Sequence, residues 1–90
     1  MRRSASLDAN HTEIVQKLRA IGATVVDLAK VGHGCPDLLV GWRGRTYLME
    51  VKTIKGYIRA TQDTFFAQWH GGSISVVRSF DDALDVMTTE

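Results

Sequence analysis

Three features of this 90-residue chain predict an α/β fold. Apolar residues recur at helical spacing in three separate stretches, four short β-rich runs lie among them, and two of those runs flank one short turn, Arg43-Gly44. A chain of this length suits a single domain, because splitting it would leave two pieces too small to bury a core. The expected domain is 1–90, with 1–7 as a frayed polar tail.

The first helix is expected to start at Asn10, a good N-cap with Glu13 three residues later. Ile14, Val15, Leu18 and Ile21 continue it until Gly22 breaks the pattern. Ala23 to Leu28 holds the run Thr24-Val25-Val26 and reads as a strand. A loop from Lys30 to Pro36 follows, containing Gly32-His33-Gly34. From Asp37, Leu38-Leu39-Val40 leads to Trp42, and Thr46 to Val51 forms the return strand of a hairpin. Both runs are apolar at consecutive positions, which predicts a central sheet covered on both faces. Gln62 to His70 places Phe65, Phe66 and Trp69 on one helical side and ends at Gly71-Gly72. Ser73 to Val77 is a fourth strand, and Ser79 with Asp82 caps a last helix bearing Ala83, Leu84 and Met87. The order is α-β-β-β-α-β-α.

Composition narrows the function. No apolar run approaches the roughly 20 residues of a membrane span, and the N-terminus lacks the apolar segment of a secretory signal. Cys35 is the only cysteine, which excludes an internal disulfide and a Cys-based zinc site and fits a reducing cytoplasmic setting. It reads as a small packed residue. Net charge is only +1, yet four of the 10 acids follow residue 78, so all 11 basic residues stand against six acids before that point. Lys52, Lys55 and Arg59, with Arg43 and Arg45, make the middle of the chain basic.

If Arg43 and Gly44 are the two turn residues, hairpin partners have numbers that sum to 87, and Asp37 faces Glu50. Opposed carboxylates repel, and a divalent cation is their natural compensation, since Mg²⁺ takes one or two carboxylates and completes its shell with water and phosphate oxygens. Lys52 lies two residues after Glu50, on the same strand face. Two acids and one ammonium on one patch suit phosphoryl transfer. A one-residue slip in register would separate the acids.

Pro36-Asp37 followed by Glu50-Val51-Lys52, in this order of elements, resembles the PD-(D/E)XK nuclease superfamily. Gly32-His33-Gly34-Cys35-Pro36-Asp37-Leu38-Leu39-Val40-Gly41, with Glu50-Val51-Lys52 and Gln62, is similar to its VRR-NUC family, including stand-alone viral and bacterial members, from about Glu13 to Val77. The resemblance implies a restriction-endonuclease-like αβββαβ core with a mixed four-stranded sheet flanked by helices, plus a C-terminal helix. It implies Asp37, Glu50 and the Val51 carbonyl as ligands of Mg²⁺ or Mn²⁺, with Lys52 serving the attacking water. Glu13 matches an acid near the metal in relatives, and Gln62 a polar residue opening the second helix. Relatives cut phosphodiesters to leave 5′-phosphate and 3′-hydroxyl ends, and several act as homodimers on branched DNA such as Holliday junctions, without a small-molecule cofactor or a membrane. A viral member would act inside its host cell.

Plainer readings stand beside these. Glu13 is equally explained as the capping-box partner of Asn10, and Gln62 as an ordinary first-turn residue. His33 is an exposed loop residue outside the catalytic set. Phe65, Phe66 and Trp69 suit a core or dimer surface. Lys55 and Arg59 are better DNA-contact candidates than Arg43, whose hairpin tip position also serves solubility. Besides a nuclease, the sequence allows a non-catalytic DNA-binding module on the same fold and a plain interaction protein.

Overall fold

A computed structural model describes residues 10–53 and 60–89. The elements follow the expected order: α1 (His11–Ala20), β1 (Thr24–Asp27), β2 (Leu38–Trp42), β3 (Arg45–Val51), α2 (Ala60–Gln68), β4 (Ile74–Val77) and α3 (Phe80–Thr88). The sheet order is β1-β2-β3-β4, with β1, β2 and β3 antiparallel in sequence and β4 parallel to β3. The expected tail, 1–7, lies outside the described residues, as do Lys55 and Arg59.

The hairpin has the anticipated register. Leu38 pairs with Met49, Leu39 with Leu48 and Trp42 with Arg45. Arg43 and Gly44 both adopt positive φ, 50° and 80°, as a two-residue turn matched to strand twist requires. Arg43 also stacks over the Trp42 ring, 4.4 Å from its centre, which compensates a non-glycine residue held in the left-handed region.

The core lies on one face of the sheet. Val25, Leu38, Val40, Met49, Val51 and Val77 are buried there and close against Ile14, Val15 and Leu18 of α1 and Ala83 and Met87 of α3. Tyr47 donates its hydroxyl to the Met87 carbonyl at 3.3 Å. The other face is half-buried at Leu39, Leu48 and Ile74 and exposed at Val26 and Val76, and is fully buried only at its end, at Glu50 and Lys52. Continuous apolar runs predict two-sided cover. In β2 burial instead alternates, fully buried against half-buried, because α1 and α3 both lie on the first face, whereas β3 ends in continuous burial from Met49 through Lys52. Phe65, Phe66 and Trp69 are likewise not buried in the core; Phe65 and Trp69 stack on each other at 5.7 Å.

Helix starts differ in an instructive way. At α3, Ser79 accepts from the Asp82 amide at 3.0 Å while the Asp82 carboxylate accepts from the Arg78 amide at 2.9 Å, so the expected cap is present. At α1, Asn10 has αR backbone angles and makes no side-chain cap bond.

A one-sided core predicts unequal effects of neighbouring truncations. Leu38→Ala should cost about 3 kcal/mol in urea unfolding, and Leu39→Ala well under half as much. Equal losses would mean that the second face is as tightly packed as the first.

Candidate active site

The site forms where β2 begins and β3 ends. Asp37 precedes the first residue of β2, and its carbonyl accepts from the Leu28 amide at 2.6 Å, extending the β1–β2 pairing by one step. Continuing the β2–β3 register by one step sets Asp37 opposite Glu50. Asp37 Oδ2 accepts from the Val51 amide at 2.9 Å, which fixes the carboxylate beside the residue between Glu50 and Lys52. The buried ring of Pro36 closes the chain behind it.

Glu50 is 1% exposed and Lys52 8%. Such burial of charge is costly unless it is paired. Lys52 Nζ lies 3.3 Å from Glu50 Oε2, and the Gln62 amide of α2 donates to that same oxygen. The second carboxylate oxygen, Oε1, is buried and has no hydrogen-bond partner among the described residues. Burial pushes the Glu50 carboxyl up to about 7, the negative Asp37 adds to the shift, and Lys52 and Gln62 offset only part of it. Cys35, half-buried in the preceding loop, has its thiol pushed up by burial and by the same two acids.

An orphaned anionic oxygen beside a second carboxylate has the chemistry of a hard divalent cation site. Asp37, Glu50 and the Val51 carbonyl are of the right donor type to hold one, and Lys52 and Gln62 occupy the Glu50 oxygen that such a cation would leave. Among the described residues no three His, Cys, Asp or Glu side chains converge, so the acid set is a pair.

Glu13 does not join that pair. Its exposed carboxylate lies 2.9 Å from Lys17 Nζ, one helical turn on, and the interaction holds the lysine's proton more tightly than usual. Nor does it complete a capping box in which the Asn10 side chain bonds the helix, since that side chain turns elsewhere. An i,i+4 pair on a solvated helix face satisfies Glu13 without either role. Arg43, at the hairpin tip, is separated from Asp37 by the length of β2, roughly 17 Å at strand rise, and so is remote from the acids. His33 is exposed and adopts φ 59° between two positive-φ glycines.

Two residues, His11 and Asn10, make contacts that have no clear sequence signal. His11, buried at the start of α1, bonds Asp27 through Nε2 at 2.9 Å and ties α1 to the end of β1. Asn10 Nδ2 donates to the carbonyls of Lys52 at 3.0 Å and Arg78 at 2.7 Å. The cap preference of asparagine conceals both of the Asn10 contacts.

An αβββαβ core with an acid entering β2 and Glu-X-Lys leaving β3 defines a restriction-endonuclease-like α/β domain. The chain is similar to a solved structure described as a VRR_NUC domain, with 25% identity, a TM-score of 0.63, and coverage of 89% of this chain and 92% of that one. No family model and no curated protein matches the chain. Likeness over nearly all of both chains, joined to the Pro36-Asp37 and Glu50-Val51-Lys52 motifs, supports the resemblance to the VRR-NUC family of the PD-(D/E)XK superfamily.

The raised Glu50 proton affinity has a consequence for the metal-free protein. Folded Glu50 keeps its proton to about pH 7, whereas the unfolded chain releases it near 4.5. The contribution of Glu50 to stability is therefore fully present below about pH 4.5 and is lost as pH rises from about 5 to above 7, by on the order of 3 kcal/mol. Urea unfolding at pH 5 and pH 8 should show this decline, Glu50→Gln should flatten it, and Mg²⁺ or Mn²⁺ should reduce it by binding the ionised form. A flat profile in the unaltered protein would show that the chain alone compensates the charge.

Proposed function

We propose that the protein is a metal-dependent endonuclease, one nuclease domain over 1–90, that hydrolyses DNA phosphodiester bonds and leaves 5′-phosphate and 3′-hydroxyl ends. The observation that carries this reading is the buried Glu50 carboxylate, with one oxygen engaged by Lys52 and Gln62 and the other orphaned beside Asp37. A bound Mg²⁺ or Mn²⁺ would supply Lewis acidity at the scissile phosphate and lower the pKa of a water. Asp37 and Glu50 would hold that cation, with the Val51 carbonyl as third protein donor. Lys52 orients the attacking water and offsets the negative charge that grows on the phosphate in the transition state. Gln62 keeps Glu50 Oε2 directed toward Lys52.

Branched DNA is the preferred substrate in this reading, and the protein works as a homodimer in the cytoplasm. So small a domain covers little substrate alone, and pairing brings two cutting sites to one junction. The half-buried sheet face and the outward Trp69 leave apolar surface for such pairing. Lys55 and Arg59, which precede α2 in the chain, are the proposed phosphate contacts, with Arg43 a more distant one. Among the described residues no helix is long and apolar enough to cross a membrane.

The second reading, a DNA-binding module without catalysis, gains from the partial neutralisation of Glu50, which a binder would tolerate. It does not account for a carboxylate pair that repels phosphate.

Cleavage of supercoiled, linear and four-way-junction DNA, with Mg²⁺, Mn²⁺ or EDTA, separates the two. Nicking that needs the metal and drops by at least about 100-fold in Asp37→Ala, Glu50→Gln and Lys52→Ala is expected. Binding without cleavage under any metal would support the module, and cutting that survives these substitutions would place the site elsewhere.

A further inference from the structure

Lys52 stands where β3 ends, and its ammonium must remain within reach of Glu50 although lysine has a long, freely rotating stem. The head is held by Glu50 Oε2 at 3.3 Å. The backbone is held on two sides. The Lys52 amide donates to the Val77 carbonyl at 3.0 Å, the last step of the β3–β4 pairing, and the Lys52 carbonyl accepts from Asn10 Nδ2 at 3.0 Å. That same side-chain nitrogen of Asn10 donates to the Arg78 carbonyl at 2.7 Å, and Arg78 Nη1 reaches the Thr53 carbonyl at 3.5 Å. The exits of β3 and β4 are thus bridged by one side chain from the start of α1.

Asparagine is well chosen for this bridge and oddly chosen for a cap that it does not form. Its –NH₂ group has two hydrogens and can serve two carbonyls at once; aspartate has none to offer and serine or threonine one. As helix caps, Asn, Asp and Ser are nearly equivalent. The bond pattern therefore separates the two roles by residue type.

We infer that Asn10 is a positioning residue for Lys52: its side-chain amide bridges the Lys52 and Arg78 carbonyls and so fixes where the Lys52 ammonium meets Glu50. The inference rests on the proposed nuclease reading for its consequence in catalysis, and on geometry alone for its consequence in the resting protein. Asn10 acts through the backbone of Lys52, and the rate should register its loss more than substrate binding does.

The test compares Asn10→Ser, Asn10→Asp and Asn10→Gln with the unaltered full chain, each below its own melting temperature. In the unaltered protein, hydrogen-bond-mediated NMR couplings should link the Asn10 side-chain nitrogen to the Lys52 and Arg78 carbonyl carbons. In the Ser and Asp variants, the Lys52 ammonium signal should shift or broaden while amides of Leu18 and Val40 stay in place. Cleavage of four-way-junction DNA with Mg²⁺ should fall in kcat by about 100-fold, the scale expected for a misplaced catalytic group, with KM little changed. Gln, which keeps both hydrogens on a longer arm, should recover part of the rate.

Ser and Asp variants that retain both the Lys52 signal and the rate would overturn the inference and return Asn10 to a capping role. Absent couplings, or shifts spread over the whole sheet, would overturn it in favour of a general structural role. If the unaltered protein cuts no DNA, the nuclease reading fails by itself, and the couplings and the Lys52 signal still decide whether the bridge exists and acts.

Discussion

Two carboxylates are fixed opposite each other by a hairpin whose register cannot shift without turning its whole apolar set to the wrong face. Asp37 and Glu50 inherit their closeness from Leu38 and Val40, which pair with Met49 and Tyr47. Glu50 is also almost wholly buried. Desolvation and like-charge repulsion both act against its ionised form, and one lysine and one amide answer only one of its two oxygens. The proposed cation would complete this balance, and the other contacts of the site are made to the two carboxylates: the Val51 N–H to Asp37, and Gln62 and Lys52 to Glu50.

The rest of the fold positions this pair economically. α1 and α3 build the whole buried core on one face, which leaves the sheet's end to carry chemistry, where Gln62 of α2 reaches Glu50. The first turn of α1 is a junction rather than a conventional helix start. His11 fastens it to Asp27 at the end of β1, and Asn10 to the ends of β3 and β4. These long-range bonds bring the terminal residues of three strands to one end of one helix. Backbone carbonyls and amides thus anchor the chain on which the charged centre stands, while the Lys52 and Gln62 side chains reach Glu50 itself.

Much of this is legible in the sequence, for definite reasons. A two-residue turn with a single plausible location fixes every partner in a hairpin, so turn chemistry alone sets Asp37 opposite Glu50. Strand alternation then puts Lys52 on the same face. Gln62 emerges only through family likeness, since a glutamine in a first helical turn has no distinctive pattern. Glu13 fits two roles by sequence and adopts neither, because a lysine four residues on offers a simpler partner. Local preference makes Asn10 a cap, whereas its actual bonds run to residues 42 and 68 positions away, beyond any local pattern. Consecutive apolar residues in β2 and β3 suggest equal cover on both faces; they do not distinguish a helix-packed face from one only half-covered.

The most direct test of the central claim is an anomalous difference map from crystals of the protein grown with Mn²⁺. A peak is expected between Asp37 and Glu50, at about 2.2 Å from a carboxylate oxygen of each, with Glu50 bound through Oε1 and Lys52 still on Oε2. A map with no peak there at saturating Mn²⁺, or with Mn²⁺ held by other residues, would contradict it.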